Sequence, residues 1–286
     1  MAAGIRLFFA LALLAAVTLV LLPVQVLAMF GCRPVARAIP VIWHRMALAA
    51  IGVRVHVHGP LPRAHPLLIV ANHLSWSDIL VLGSVTKLCF VAKREVKSWP
   101  GINLLAWLQR TVFVDSDRRH DSANQADTIA ARLSQGDTMV LFAEGTTGDG
   151  HRVGSFKSAL FGAVHAALRQ AHLERVTVQP VAIAYTRLQG LPLGRLHQAR
   201  ASWPGDVPLG AHLVSFLLAG AYDVDVVFGE ASTFTEETGR KQIAVLMHAR
   251  IRAAFTRAMR MRLADSMAEN DDMPARVMLD RGSAGR

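Results

Sequence analysis

The feature that most constrains the fold is an uncharged run near the start of the chain. Residues 7–29, LFFALALLAAVTLVLLPVQVLAM, contain no Asp, Glu, Lys or Arg. As helix this run is about 34 Å long, enough to cross the hydrocarbon core of a bilayer. The sequence therefore predicts a membrane anchor. Pro23 leaves a hairpin, or a helix held in one leaflet, as alternatives to a span. A secretory signal with VLA at 26–28 as its cleavage site is the competing reading, disfavoured by the length of the run. Arg33, Arg37 and Arg45 follow the run and only Arg6 precedes it. That bias predicts a body on the cytoplasmic side of the cytoplasmic membrane. Residues 35–51 read as a second apolar helix at the membrane surface. Residues 1–52 are thus expected to form anchoring helices.

The rest of the chain fits membrane contact. Of 286 residues, 52% are hydrophobic and 18% charged, a low charge for a wholly soluble enzyme, and the net charge of +10 suits an anionic membrane or an acidic partner. No zinc-finger spacing, RNA-binding aromatic signature or recognition helix accompanies the basic charge, which argues against nucleic acid. Two cysteines, Cys32 and Cys89, make no disulfide framework.

From residue 53 to 263 an alternating, strand-like stretch at 53–59 is followed by short apolar runs at 67–71, 88–92, 111–115, 138–144, 176–185 and 222–230. Helical segments lie between several of them, at about 77–86, 120–135 and 156–171. This alternation predicts one α/β domain with a sheet buried on both faces. His56 and His58 share one face of the first strand, which reads as a solvated face in preference to a metal site. Residues 240–262 carry seven Lys or Arg and no acid, and their apolar positions follow a helical period. Two readings stand for this helix: it lies on an anionic membrane, or it packs on the domain with a solvated basic face. Residues 264–286 are polar, mixed in charge and expected to be disordered.

Two strand ends carry the chemistry. After LLIVA comes NHLSWSDIL (72–80). His73 and Asp78 would face about 140° apart on one continuous helix. They can meet if His73 lies in the loop and Asp78 in the first helical turn. Ser75-Trp76-Ser77-Asp78 reads as a capping box with Ser75 as N-cap, which supports that break. Two readings stand: Asp78 caps the helix and His73 is an ordinary loop histidine, or the carboxylate orients the histidine as a general base, here without a serine nucleophile of its own, since no G-x-S-x-G elbow occurs. Direct acyl transfer to a substrate hydroxyl follows from the second. The second strand end, LFAEGTTGDG (141–150), offers glycine-freed backbone N–H groups to an anion or an oxyanion, and lacks the G-K-[ST] of a nucleotide loop. In VQPVAIAY, Pro180 inside a strand implies a bulge or an edge.

Together these blocks resemble the lysophospholipid acyltransferase family. Asn72, His73 and Asp78 match its N-H-x4-D; Glu144, Gly145 and Thr146 match its E-G-T; Val178, Pro180 and Val181 match its fourth block. The resemblance implies an α/β fold, a mixed sheet flanked by helices, with N-terminal membrane helices. It implies His73 as general base and Asp78 as its partner, with no metal or bound cofactor. A fatty acyl thioester, on acyl carrier protein or coenzyme A, is then the co-substrate, and membrane lipids and acyl carrier protein are the expected partners. Glu144, Gly145, Thr146, Thr147, Ser116, Arg118 and Pro180 are the expected substrate-binding positions. Two blocks depart from the family pattern. In RTVFVDS, Arg110 replaces a glycine and Ser116 an arginine; in EGTT, Thr147 replaces an arginine. These arginines suit a phosphate-bearing acceptor, and Arg118, Arg119 or Arg152 are the candidates to replace them. The pattern looks most like the branch that acylates lyso-ornithine lipid. The alternative acceptor is 1-acylglycerol-3-phosphate; a hydrolase and a non-catalytic lipid-binding protein are remoter readings.

Overall fold

The computed structural model describes residues 2–271 apart from 62–63, 100, 115–121, 171–173 and 205–206. The uncharged run lies in one long helix, α1 (Ala2–Gly31), which continues through Pro23. The chain reverses at Cys32 into α2 (Arg33–Ile51), which has a proline in its first turn and ends on Gly52 at φ +77°. Gln25 Nε2 donates to the Ala36 carbonyl and Trp43 Nε1 to Thr18 Oγ1, so the two helices run antiparallel. The hairpin is therefore at Cys32, not Pro23. Phe8, Phe9, Leu19, Val20, Leu27 and Phe30 remain exposed along α1. Residues Gly4–Gly31 are long and apolar enough to cross a membrane, and little of them is buried in the protein; the chain is built for membrane association. The second helix is not purely superficial: Ala47, Leu48 and Ile51 are buried, and α2 packs on α3 (Asp78–Val85).

The body is a mixed sheet. Strands β1 (Val53–His58), β2 (Leu67–Ala71), β3 (Cys89–Lys93), β4 (Val112–Val114), β5 (Met139–Phe142), β6 (Val176–Leu188), β7 (Leu191–Pro192), β8 (Tyr222–Phe228) and β9 (Ser232–Phe234) form it. The main order is β1-β8-β6-β2-β5-β3-β4, with β7 and β9 also pairing β6. The β6–β8 pair is antiparallel and every other neighbour on the main path is parallel. β2 is buried at all five positions, as a central strand covered on both faces must be. Two groups of helices flank the sheet. α5 (Ser122–Ser134), α6 (Ser158–Gln170) and α9 (Arg240–Asp271) pack in sequence on one another, and α1, α2 and α3 do the same. α4 (Ile102–Leu108), the short α7 (Gln198–Ala201) and α8 (Leu209–Ala219) complete the set; none of these three stood out in the sequence.

Four expectations need correcting or sharpening. Pro180 sits at neither an edge nor a bulge: it is buried in β6, in register with Val70. Thr177 N–H points to β2, and so do the odd-numbered N–H groups that follow; position 180 faces the other side. There β9 pairs residues 176–178 and β8 takes over at 181, so proline fills the gap between two ladders where no donor is required. His56 and His58 are neither bare nor ligand-like: their Nε2 atoms lie 2.9 and 2.6 Å from Asp223 and Asp225 of β8. The basic helix α9 buries Ile243, Met247, Ile251 and Phe255, which favours packing on the domain over a purely membrane-lying helix. It also continues to Asp271, eight residues beyond the expected boundary, through an Ala-, Leu- and Met-containing stretch that favours helix. The tail positions 272–286 lie outside the described residues.

Candidate active site

The loops leaving β2 and β5 meet at one end of the sheet. Asn72, the residue after β2, is fully buried. Its side chain accepts from Ile183 N at 2.8 Å and donates to Ile183 O at 2.9 Å, clamping the loop to β6. The chain then turns, and α3 starts at Asp78. This break brings His73 back to Asp78: Nδ1 and Oδ2 are 2.9 Å apart. Asp78 has no exposed side chain, while that of His73 is 18% exposed. The buried carboxylate is thus placed to orient the ring, and the accessible imidazole is the one a substrate proton could reach.

Four donors converge on the Asp78 carboxylate. His73 Nδ1, Leu74 N (2.6 Å) and Ser75 N (2.9 Å) reach Oδ2, and Tyr185 Oη reaches Oδ1 at 2.9 Å. Acceptor-only chemistry of this kind suits an ionised carboxylate. It requires the hydrogen on His73 Nδ1, so Nε2 holds the free lone pair. Half of the expected capping box is present, the carboxylate arm on Ser75 N. The other half is not: Ser75 Oγ is buried without a hydrogen-bond partner among the described residues. Ser77 Oγ lies 2.6 Å from Tyr185 Oη, so the order Ser77–Tyr185–Asp78–His73 is one connected line. Burial, then the Asp78 charge, push the Tyr185 hydroxyl well above its ordinary pKa, which keeps it a donor. The imidazole stacks on Phe142 at 4.0 Å between ring centres, fixing the plane in which Nε2 points.

The second loop supports the first. Glu144 is buried and turns its carboxylate inward, accepting from His73 N at 2.9 Å and Gly154 N at 2.8 Å. Burial raises its pKa, and the two backbone N–H groups pull it partly back. Gly148 N donates to the His73 carbonyl at 2.9 Å and Gly145 N to the Phe142 carbonyl at 3.1 Å, so both are committed to the protein. Among the described residues, the N–H groups of Thr146 and Thr147 have no acceptor, so they are available to a bound oxygen. Gly145 has φ +69°, a conformation that favours glycine, and a Cβ there would stand 3.3 Å from Lys157 Nζ. Lys157 is therefore a cation beside the turn that sequence reasoning passed over.

Of the nine expected site positions, six gather on these two loops: His73, Asp78, Glu144, Gly145, Thr146 and Thr147. Pro180 stays inside the sheet, away from the loop surface. Ser116 and Arg118, like Arg119, lie outside the described residues. Arg152 is exposed two residues before Gly154. The sequence reading also missed Tyr185 and Phe142 as supports. A period of two along β6 was the available signal, since it puts Tyr185 on the same face as Ile183, the residue that Asn72 holds.

Comparisons with known proteins bear on the family and the fold. Residues 52–184 match the family model described as Acyltransferase. The chain is 49% identical to a lyso-ornithine lipid O-acyltransferase of Brucella abortus (strain 2308), over 89% of this chain and 96% of the relative. It is 46% identical to a protein of the same description from Rhizobium meliloti (strain 1021), over 92% of this chain and 90% of the relative. The fold is similar to the crystal structure of a 1-acyl-sn-glycerophosphate acyltransferase from Thermotoga maritima, with a TM-score of 0.60, 18% identity, and coverage of 90% of this chain and 97% of that one.

Proposed function

The chain belongs to the acyltransferase family, and from that premise we propose that it transfers a fatty acyl group from a thioester to the hydroxyl of lyso-ornithine lipid. The acceptor assignment rests on one observation: the two relatives described by that activity match about nine-tenths of this chain at nearly half identity. The geometry supplies a route. His73 Nε2 takes the proton from the acceptor hydroxyl while its oxygen attacks the thioester carbonyl carbon. Asp78 holds Nδ1–H and steadies the imidazolium. The thioester oxygen, negative in the tetrahedral intermediate, accepts from Thr146 or Thr147 N–H. The carbon–sulfur bond then breaks, the thiolate leaves and takes the proton from His73, and the ester remains. Glu144 keeps the two loops in register and touches neither substrate.

The thioester arrives on acyl carrier protein or coenzyme A, with the body on the cytoplasmic face of the membrane and no metal or bound cofactor in the reaction. Thr147 in place of arginine supports an acceptor without phosphate, because charge-assisted bonds to phosphate are forfeited there. Washed membranes carrying the protein, one acyl thioester and either lyso-ornithine lipid or 1-acylglycerol-3-phosphate provide the test. Lyso-ornithine lipid should be acylated faster by at least tenfold; a clear advantage for the phosphate-bearing acceptor would replace this reading with phosphatidate synthesis. In the same assay a folded His73→Ala protein should lose on the order of 10²–10⁴ in rate. Full turnover by that variant would remove His73 from the chemistry. Release of free fatty acid without acceptor would mark a hydrolase.

A further inference from the structure

The replacement of the second block's glycine by Arg110 has no part in the acyl-transfer site. The backbone there is at φ +60°, a left-handed conformation. A residue with a Cβ is strained there, whereas glycine is not. The arginine side chain reaches Asp137, with Nη2–Oδ2 at 2.9 Å and Nη1–Oδ1 at 3.3 Å. Two more guanidinium groups share the same carboxylate: Arg37 at 2.7 Å and Arg132 at 3.4 Å. The Asp137 side chain is only 2% exposed, and those of Arg110, Arg37 and Arg132 are 14%, 28% and 23% exposed. One arginine would neutralise this carboxylate; three leave two excess positive charges in a half-buried place. Arg37 Nε is also buried without a partner among the described residues. Like charges held this close repel unless an anion joins them.

Space for that anion lies next to them. A cavity of about 230 Å³ is bordered by Arg37, Arg110 and Asp137 and by the exposed Lys87 and His65. A single water needs only about 10–15 Å³ of such space, so a phosphate-sized group fits. The cavity borders the starts of β2, β3 and β5. His73 follows the other end of β2, roughly 20 Å away along the strand direction. Arg37 is six residues beyond Gly31, where the membrane-associating helix ends.

We infer that this cavity is a phosphate-binding site, separate from the acyl-transfer site, that takes the headgroup of an anionic membrane lipid. Guanidinium groups bind phosphate through paired, charge-assisted bonds. The exposed Lys87 adds an ammonium at the rim. The phosphate supplies the negative charge that Asp137 alone does not. This inference does not depend on the identity of the acyl acceptor.

The full chain in neutral detergent micelles tests it. Thermal unfolding is followed against inorganic phosphate, with sodium chloride at equal ionic strength as the reference, and the concentration dependence gives an apparent Kd. Phosphate should raise the midpoint beyond the chloride reference. An Arg110→Gly, Lys87→Ala double variant should bind phosphate at least tenfold more weakly. It is expected to fold, because glycine relaxes the backbone at 110 while Arg37 and Arg132 stay on Asp137. If it does not fold, Lys87→Ala alone, at an exposed side chain, should still weaken phosphate binding severalfold. Micelles doped with phosphatidylglycerol separate the sources. Displacement of phosphate by the doped lipid identifies a lipid headgroup. Phosphate binding that the lipid leaves untouched keeps the phosphate site but overturns its assignment to a lipid. No phosphate-specific shift, or equal affinity in wild type and variants, overturns the site itself.

Discussion

Replacing Asp78 by asparagine separates two things the carboxylate does, and the structure predicts how they divide. Oδ2 accepts three N–H groups, from His73, Leu74 and Ser75, whereas Oδ1 faces one hydroxyl, Tyr185. An asparagine amide placed with its NH₂ toward the three donors would oppose them all. Turned the other way, its oxygen replaces Oδ2 and its NH₂ donates to Tyr185 Oη, which in turn donates to Ser77 Oγ at 2.6 Å. The second orientation leaves the His73 tautomer intact. What is lost is the negative charge beside the imidazolium, and hydrogen bonds to charged groups contribute about 1.5–3 kcal/mol. We therefore expect Asp78→Asn to fold and to lower kcat by about 10- to 150-fold, a factor of ten for each 1.4 kcal/mol. A wrong tautomer in a comparable histidine–aspartate pair costs about 10⁴. Removing the Tyr185 hydroxyl with Tyr185→Phe takes away the acceptor of the amide NH₂ and leaves that group buried without a partner. The Asp78→Asn, Tyr185→Phe pair should then fall further than the two single effects combined. Single-turnover rates with saturating thioester, beside far-UV circular dichroism of each variant, provide the measurement. A loss near 10⁴ for folded Asp78→Asn alone would refute the orientation set by the three donors, and simple additivity in the pair would refute the part assigned to Tyr185.

Other expectations follow from the two supporting loops. Glu144 has a folded pKa raised by burial, so its proton is bound more tightly in the folded than in the unfolded state. Its contribution to stability is therefore fullest below the ordinary carboxylate range and declines as pH rises through the raised value. Glu144→Gln should flatten that pH dependence while setting an NH₂ against a backbone N–H, a cost of about 1–3 kcal/mol near neutral pH that is read from denaturant midpoints. If wild type and variant track each other across pH, Glu144 is not the titrating group. Asn72→Ala strips both partners from the Ile183 backbone in a buried place and should cost about 2–5 kcal/mol, seen as a lower thermal midpoint. An unchanged midpoint would show the clamp to be dispensable. Gly145→Ala introduces a Cβ at φ +69° beside Lys157 and should slow turnover more than it lowers stability. Rates and midpoints falling in step would deny the turn a special part.

The sequence was most readable where one local rule governed. Buried strands such as LLIVA announced themselves as apolar runs, and the loop break between His73 and Asp78 followed from the acid three residues after Ser75. It was least readable where a contact joins distant segments. The period of two along β6 gives the face of Tyr185 but not that its hydroxyl meets Asp78, 107 residues away. Pro180 looked like an edge because the sequence does not reveal that two partner strands hand over beside it. Helix α8 is apolar and short, with no period to separate it from a strand, and the structure alone places it against α1. The capping box misled in part: the carboxylate arm formed, but it also gathers Leu74 N and His73 Nδ1, and the serine hydroxyl takes no share.

The long N-terminal helix has a mechanical consequence. It is fastened near both ends. Arg6 donates to the carbonyls of Leu217 and Leu218 at the last turn of α8, where a cation also meets the negative end of the helix. Nineteen residues later, Gln25 donates to the Leu108 carbonyl at the end of α4. Those two fastenings are about 28 Å apart along the helix axis. A segment stapled to the body over that length cannot swing as a tether, so whatever depth it takes up in lipid is imposed on the body as well. On the function proposed above, His73 Nε2 should then sit at a set height relative to the bilayer, and acceptors should be graded by how far below the headgroup their reactive hydroxyl lies. Arg6→Ala with Gln25→Ala should loosen that setting: the protein should stay on membranes yet discriminate less between acceptors whose hydroxyl sits at different positions along the chain. Undiminished discrimination would mean that the depth is fixed elsewhere.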